Sequence, residues 1–451
     1  MKRPNIVMFF SDQQRFDTLG CNGQTLPVTP ALDRLAAEGV NFKAAYTNQP
    51  VCGPARAMLQ TGLYPSELGC FSNGVGLPEN IPTLARRLRA ADYDVAYVGK
   101  WHLATTHGEN DYETGPIPKE KRGGYNGYWV CSDILEFTSH GYGGYLHDGD
   151  GNKISFDGYR TDCVTDHALH YLDTRTAEDA EPFFLFLSNI EPHHQNDHNQ
   201  FEGPEGSKER FKDFLPPPEL EPGVGDWEAQ LPDYLGCCRA LDDNLARMIQ
   251  KLKQRGLYEN TVIIYTSDHG CHFKSHMQEL AAGGFDDYKR TCYENTIHIP
   301  MVIAGPGFAG GRDVNRVVEL IDIPKTILDI AGADDSGMRG ESLRKALATE
   351  DWRDEAYIQI SESFVGRALR DKRYTYCVWA PDRHPSKDMD SDTYVEKHLF
   401  DNEVDPLQKN NLVADPAQAD LRARLAERLK ARAAEACEPP FVIAPAQGVT
   451  P

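Results

Sequence analysis

The stretch LPDYLGCCRALDDNLARMIQKL, residues 231–252, followed by TVIIYTSDHG, residues 261–270, decides the fold class. In the first, Leu235, Cys238, Leu241, Leu245, Ile249 and Leu252 recur at helical spacing, so one face of a long helix is apolar. In the second, the β-branched run Thr261–Tyr265 reads as a strand. It ends in Asp268-His269-Gly270. A long helix feeding a buried strand that ends in polar chemistry is the repeating unit of an α/β sheet.

Outward from this unit the alternation continues. Ile6–Phe10 is a first strand. Thr29-Pro30 opens a helix, with Thr as N-cap and Pro in the first turn, and Gly39 closes it. Thr83–Ala90 is helical and Val95–Val98 extended; Asp162–Leu172 is helical and Phe183–Leu187 extended. Met301–Ala304 adds a strand and Ile323–Ile330 a helix. This pattern predicts an α/β fold: a mostly parallel sheet flanked by helices on both faces. Beyond a polar stretch at Asp334–Glu355 the style changes. Tyr357–Ile360, Gly366–Trp379 and Lys397–Phe400 predict strands of a smaller antiparallel sheet. Leu421–Ala436 predicts an amphipathic helix with Leu421, Leu425 and Leu429 on one face. A division near Asp335 follows, with residues 1–335 as the catalytic domain and 336–451 as a C-terminal α+β subdomain. His147-Asp-Gly-Asp-Gly-Asn152 resembles half a calcium loop, but Tyr159 stands where such a loop needs Glu. A hairpin turn is the better reading.

The 451 residues carry 40% hydrophobic and 25% charged side chains, an ordinary globular balance. The formal net charge of −21 argues against nucleic-acid and anionic-membrane partners. An anionic substrate therefore needs a local basic pocket. No apolar run approaches the ~18 residues of a membrane span, and Ile6–Phe10 is too short for a signal segment. The chain as written reads as cytoplasmic, or as periplasmic or secreted once a leader has been removed. Eleven cysteines, an odd number with no C-x-x-C, fit reduced and mostly buried thiols.

Polar residues fall at strand ends. Asp12 and Gln13 follow the first strand, and Lys100 and His102 follow the strand ending at Val98. His193 and His194 follow Phe183–Leu187, and Asp268 and His269 follow Thr261–Tyr265. Ligands of open α/β sheets bind at the carboxyl ends of strands, so these residues are candidates to share one crevice. Asp12, Gln13, Asp268 and His269 offer oxygen and imidazole donors to a divalent metal. Oxygen-rich ligation suits calcium or magnesium, and an imidazole moves the balance toward manganese or zinc. Cys52-Gly-Pro-Ala-Arg56 precedes a helical stretch from Ala57 to Gly62. A cysteine there, beside a cation, has a lowered thiol pKa and is a candidate nucleophile or ligand, although for a lone cysteine a buried structural thiol is the better reading.

These residues match a known pattern. Cys52-x-Pro54-x-Arg56 with Leu59-x-Thr61-Gly62-x-Tyr64-Pro65 resembles the signature of the type I sulfatases, in the alkaline phosphatase superfamily. So do Gly99-Lys100-Trp101-His102, Asn5-Ile6-Val7 with Asp12, and Ser267-Asp268-His269-Gly270. Lys289 ahead of Tyr293-Glu294 and Ile299-Pro300, and Leu399-Phe400-Asp401 with Asp405-Pro406 and Asn411-Leu412, complete a match along nearly the whole chain. Two departures stand out. Asp12-Gln13 replaces the family's usual Asp pair, and Asp268-His269 replaces Asp-Asn. Both variants are similar to the choline-sulfatase-like and phosphonate-monoesterase-like branch.

The resemblance implies a hydrolase of a carbohydrate or other small organic sulfate ester. Its cofactor would be one divalent metal, calcium first with manganese or magnesium as alternatives, on Asp12, Gln13, Cys52, Asp268 and His269. A maturation enzyme would oxidise Cys52 to formylglycine, whose hydrate supplies the nucleophile. Arg56 would stabilise its alkoxide, and Lys100 and Lys289 would hold the sulfate oxygens. His193 would protonate the leaving alcohol, and His102 would take the proton that expels sulfate. His194, His198, His272, Lys274 and His298 are weaker substrate-binding candidates. His298 stands where the family often has Arg, and the run Glu191–His198 reads as one catalytic His followed by substrate-contacting loop residues rather than as a second metal cluster. The alternatives are a phosphonate monoester or phosphodiester hydrolase, and an inactive binder of sugar sulfates. The sequence leaves the oligomeric state open.

Overall fold

The computed structural model describes residues 2–446. Ten strands form the large sheet: β1 (Asn5–Ser11), β2 (Val40–Tyr46), β3 (Asp94–Lys100), β4 (Trp129–Ser132), β5 (Tyr142–Asp148), β6 (Lys153–Tyr159), β7 (Phe183–Ser188), β8 (Thr261–Ser267), β9 (Met301–Ala304) and β10 (Arg312–Glu319). Their spatial order is β10-β2-β9-β8-β1-β7-β3-β4-β5-β6. The centre is parallel: β1 pairs with β7 and β8, and β3 with β7 and β4. Antiparallel pairing enters at β9 and at the β4–β6 edge.

Every residue of β1, β7 and β8 is buried, as strands covered on both faces must be. The pleat sends alternate side chains to separate cores. Val7, Phe9, Ile263 and Tyr265 meet Leu241, Leu245, Met248 and Leu252 of the helix Trp227–Gln254. Ile6, Met8, Phe10, Val262 and Ile264 face the opposite core, which holds Ala55, Met58 and Leu59 of the helix Cys52–Thr61. The expected helix after Thr29 runs Pro30–Glu38, and Gly39 ends it. Thr29 makes no side-chain cap there. The carboxylate of Asp242, from the long helix, instead accepts the Ala31 and Leu32 N–H groups at 2.9 and 2.7 Å.

The second sheet follows as β11 (Glu355–Ile360), β12 (Gly366–Asp371), β13 (Tyr374–Trp379), β14 (Thr393–Asp401) and β15 (Val442–Ala444), in that order. It is antiparallel except for the edge pair β14–β15. The stretch expected as one strand, Gly366–Trp379, is a hairpin. Leu425 and Leu429 of the helix Ala419–Glu435 are buried against this sheet. Buried Glu319, at the end of β10, ties the parts together. It accepts from Asn48 at 2.6 Å, from the Tyr357 N–H at 2.8 Å and from Arg432 at 3.0 Å.

Strands β2, β10 and β4–β6 were not expected. β6 is an edge strand with alternating exposed side chains, so its apolar signal is weak. The segment at 147–152 joins β5 to β6, as the hairpin reading requires. No helix among the described residues is long and apolar enough to cross a membrane.

Candidate active site

Strand register brings the expected residues together. Ser11 lies opposite Ser267, Phe10 opposite Ser188, and Gly99 opposite Ser188. Asp268, Asp12, the loop bearing His193, and Lys100 therefore emerge side by side. Gly99 has φ +108°, and a Cβ there would stand 2.0 Å from the Ser188 carbonyl oxygen. Only glycine lets β3 and β7 approach so closely at this point.

The Cys52 helix starts at Cys52 itself, five residues earlier than expected, and ends on left-handed Gly62. The Gly53 N–H at its first turn is taken by Asn73 Oδ1 at 2.9 Å. Cys52 Sγ lies 3.4 Å from Asp12 Oδ1, 3.4 Å from His269 Nε2 and 3.1 Å from Lys289 Nζ. The expectation of a lowered thiol pKa is reversed. Burial, then the Asp12 carboxylate, push the Cys52 thiol well up despite Lys289 and Lys100. A helix start and a cation are outweighed by full desolvation beside an anion.

Asp12 is the hub. Its Oδ2 pairs with Arg56 at 2.9 Å and Lys100 at 3.1 Å. Burial raises its pKa, but Lys100, His193, Arg56 and Lys289 together hold it well below the usual carboxylate range. Arg56 also donates to Ser188 Oγ at 2.6 Å and to the Lys100 carbonyl at 2.9 Å. Asp268 is the counterpart. Burial and neighbouring Asp12 push its carboxyl up to about 7, and its buried Oδ2 has no hydrogen-bond partner.

Asp12, Cys52, Asp268 and His269 each place one donor atom within 4.8 Å of the others. Two crowded buried carboxylates, an imidazole and an orphaned oxygen fit a divalent cation. The Gln13 amide is turned elsewhere. It accepts the His194 N–H at 3.2 Å and donates to the Asp287 carbonyl at 3.1 Å, so it bridges two loops.

Around the cluster, His193 Nε2 lies 2.8 Å from Lys289 Nζ, and its Nδ1 2.6 Å from the His194 carbonyl. Burial and Lys289 lower its pKa to about 4. His102 is also pushed down, by burial and Lys100, and its buried Nδ1 has no partner. A cleft of about 470 Å³ opens on Cys52, His102, His193, Lys274 and Lys289. His194 reaches its wall, held by Tyr288 at 3.0 Å.

Three expected residues stand apart from the cleft. His272 pairs with Asp286 at 2.8 Å, behind the wall. His298 stacks on Phe16 at 3.7 Å and lines a different cavity. His198 pairs with Glu202 at 2.5 Å on the surface. Conversely, Glu136 and Asp287 were missed. Glu136 pairs with Lys100 at 3.1 Å, and Asp287 with Lys289 at 2.9 Å. Glu136 follows β4, so the strand-end argument reaches it once β4 is recognised. Asp287 had no signal beyond closeness to Lys289.

A mostly parallel sheet with carboxylates, imidazoles, an arginine and two lysines at its carboxyl edge forms a site for an anionic group beside a divalent cation. A sulfatase family model matches residues 4–333, and an N-sulphoglucosamine sulphohydrolase C-terminal model matches 282–435. An ulvan-active sulfatase of Formosa agariphila is 31% identical, covering 96% of this chain and 81% of its own. An N-acetylglucosamine-6-O-sulfatase of Bacteroides thetaiotaomicron is 26% identical, over 95% and 86%. A crystal structure of a candidate sulfatase from Bacteroides fragilis superposes with TM-score 0.79 at 25% identity, covering 97% of both chains. The chain belongs to the sulfatase family.

Proposed function

We propose that this enzyme removes sulfate from a carbohydrate, using a formylglycine made from Cys52. The observation that carries the reading is the setting of Cys52: a buried side chain at a cleft, 3.1 Å from Lys289 and 3.4 Å from Asp12 and His269. Its thiol is held protonated and is a poor nucleophile as it stands. A two-electron oxidation by a maturation enzyme and its oxidant replaces the C–S bond with C=O and releases the sulfur as sulfide; hydration of that aldehyde gives two hydroxyls on one carbon. One hydroxyl ionises beside Arg56 and releases its proton to solvent. Its oxygen attacks sulfur and the S–O bond to the alcohol breaks. His193, protonated from solvent once the bound anion has taken over Lys289, gives that alcohol its proton. His102 accepts the proton of the second hydroxyl, the C–O bond to sulfate breaks, and the aldehyde returns. A thiol or a single hydroxyl lacks that second proton and would leave the sulfate bound.

Arg56 orients Asp12 and offsets charge beside the nucleophile, while Lys100 and Lys289 neutralise the sulfate oxygens. Asp12, Asp268, His269 and the side chain at position 52 would hold a divalent ion, calcium by preference. That ion supplies charge compensation for the carboxylates and the sulfate. Gln13 joins this set only by releasing the His194 N–H. A sugar sulfate as substrate rests on relatives that are sulfatases of ulvan and of N-acetylglucosamine.

A second reading, phosphonate monoester or phosphodiester hydrolysis, draws on His269 in the donor cluster in place of an amide. Rates on an aryl sulfate and an aryl phosphonate, beside the mass of the Cys52 peptide, test both. Faster sulfate turnover with an aldehyde at position 52 is expected. Faster phosphonate turnover overturns the sulfate assignment, and full activity with an intact thiol overturns the nucleophile.

A further inference from the structure

Two exposed phenylalanines line the cleft. Phe137 and Phe285 are 56% and 47% exposed, and no other phenylalanine among the described residues is exposed. Both line the cavity that opens on Cys52. Each sits on a segment fastened to one lysine of the site. Phe137 follows Glu136, whose carboxylate pairs with Lys100 at 3.1 Å. Phe285 lies two residues before Asp287, which pairs with Lys289 at 2.9 Å. The Arg290 guanidinium covers one face of the Phe285 ring, 4.2 Å from its centroid. That contact holds the ring in place and leaves its second face to a ligand.

Beyond the two site lysines, the cations along this wall are already paired. Lys274 meets Asp226 at 3.2 Å, and His107 meets Glu113 at 3.0 Å. Arg290 is held by Glu362 and Asp287. Neutral donors remain. Asn73 Oδ1 accepts the Gly53 N–H at 2.9 Å, and Asn199 Oδ1 accepts from Lys274 at 3.1 Å. Each bond spends the amide oxygen and leaves the NH₂ group for a ligand.

A second anionic group in the cleft would therefore lie near Glu113 and Asp226 with no free cation to meet it. The net charge of −21 repels a polyanion further. A neutral sugar fits instead. Its C–H face packs on a phenyl ring, and its hydroxyl oxygens accept from amide donors.

We infer that Phe137 and Phe285 determine specificity by stacking on a singly sulfated, otherwise uncharged saccharide, an inference that rests on the sugar-sulfatase reading. The sulfate goes to Lys100 and Lys289. The sugar that bears it is read by the two phenyl faces and by Asn73 and Asn199. A uronate or a second sulfate on that sugar is rejected for want of a free cation.

The test measures sulfate release by the mature, metal-loaded enzyme. The panel is galactose and N-acetylglucosamine sulfated at each hydroxyl in turn, beside the same sugars carrying two sulfates and sulfated glucuronate. The best substrate is expected to carry one charge, with kcat/KM at least about tenfold above its disulfated form, the cost of one unpaired charge near 1.4 kcal/mol. On that substrate Phe137→Ala and Phe285→Ala are each expected to raise KM about 3–10-fold with kcat little changed. Phe137→Tyr and Phe285→Tyr are expected to keep the parent KM. Inhibition by inorganic sulfate, which has no ring, is expected to be the same in all four variants and the parent. A disulfated or uronate best substrate overturns the charge reading, and an unmoved KM in both alanine variants overturns the aromatic one. Turnover of an aryl phosphonate with no sulfate release from any sugar overturns the sulfatase reading itself, and this inference with it.

Discussion

Lys289 Nζ lies 2.8 Å from His193 Nε2. An ammonium has only donors to offer, so Nε2 is the acceptor and the ring proton sits on Nδ1, facing the His194 carbonyl at 2.6 Å. Burial and this lysine explain why the imidazole is held down near 4. His193 thus becomes an acid only when a bound anion takes over Lys289.

This relationship makes leaving-group dependence the readout for His193. A general acid contributes about 10²–10⁴-fold, most where the departing alkoxide is basic. His193→Gln is expected to lower kcat by that range on a sugar or alkyl sulfate, and far less on nitrophenyl sulfate. Equal losses on both would assign His193 to positioning the sulfate instead.

Position 52 gives a different signature for each substitution. Cys52→Ala is expected to abolish turnover while the protein still binds sulfate esters. Cys52→Ser, with one hydroxyl, is expected to take up at most one sulfate per chain and stop. Intact mass after incubation with substrate checks this, and continued turnover by either variant removes the aldehyde from the mechanism.

Asp12 and Asp268 make metal loading a stability matter. Without a cation the Asp268 carboxyl is pushed up to about 7 by burial and Asp12. A metal ion relieves that conflict, and at 100 times its Kd it adds about 2.7 kcal/mol of stability. Chelation is expected to lower the melting temperature and abolish activity, and calcium to restore both. Asp268→Asn removes one charge. In chelator it is expected to melt above the chelated parent, yet to gain little from calcium. A chelated variant less stable than the chelated parent contradicts this account.

The parts of the fold carried by strong local patterns were legible. β1, β7 and β8 have continuous apolar centres and are buried throughout, and the long helix repeats its leucines at helical spacing. Their polar termini, Asp12, His193 and Asp268, pointed to one crevice for that reason. β6 escaped because an edge strand buries only part of its length. Glu136 escaped with its neighbour β4. The Cys52 thiol was misread because a sequence shows the adjacent Arg56 but not Asp12, forty residues away and 3.4 Å distant. His298 was drawn toward the site by its place in a motif, whereas stacking on Phe16 and Tyr46 holds it elsewhere.

Asp242 offers a test of the scaffold beneath the site. Its carboxylate caps the Pro30–Glu38 helix from the long helix, and burial raises its pKa to about 6. The ordinary value is near 3.9. An acid raised in the folded state favours folding in its protonated form. That contribution is fully present below about pH 3.9 and is lost as pH rises through about 6. Asp242→Asn keeps one acceptor and cannot titrate. The parent is therefore expected to lose stability relative to Asp242→Asn between pH 4 and about 6, with a constant difference above that. Asp242→Ala removes both acceptors and is expected to cost about 1–2 kcal/mol at neutral pH. Denaturant midpoints at several pH values measure both effects. A parent that gains on Asp242→Asn as pH rises would place the carboxylate's stabilising interaction in its ionised form.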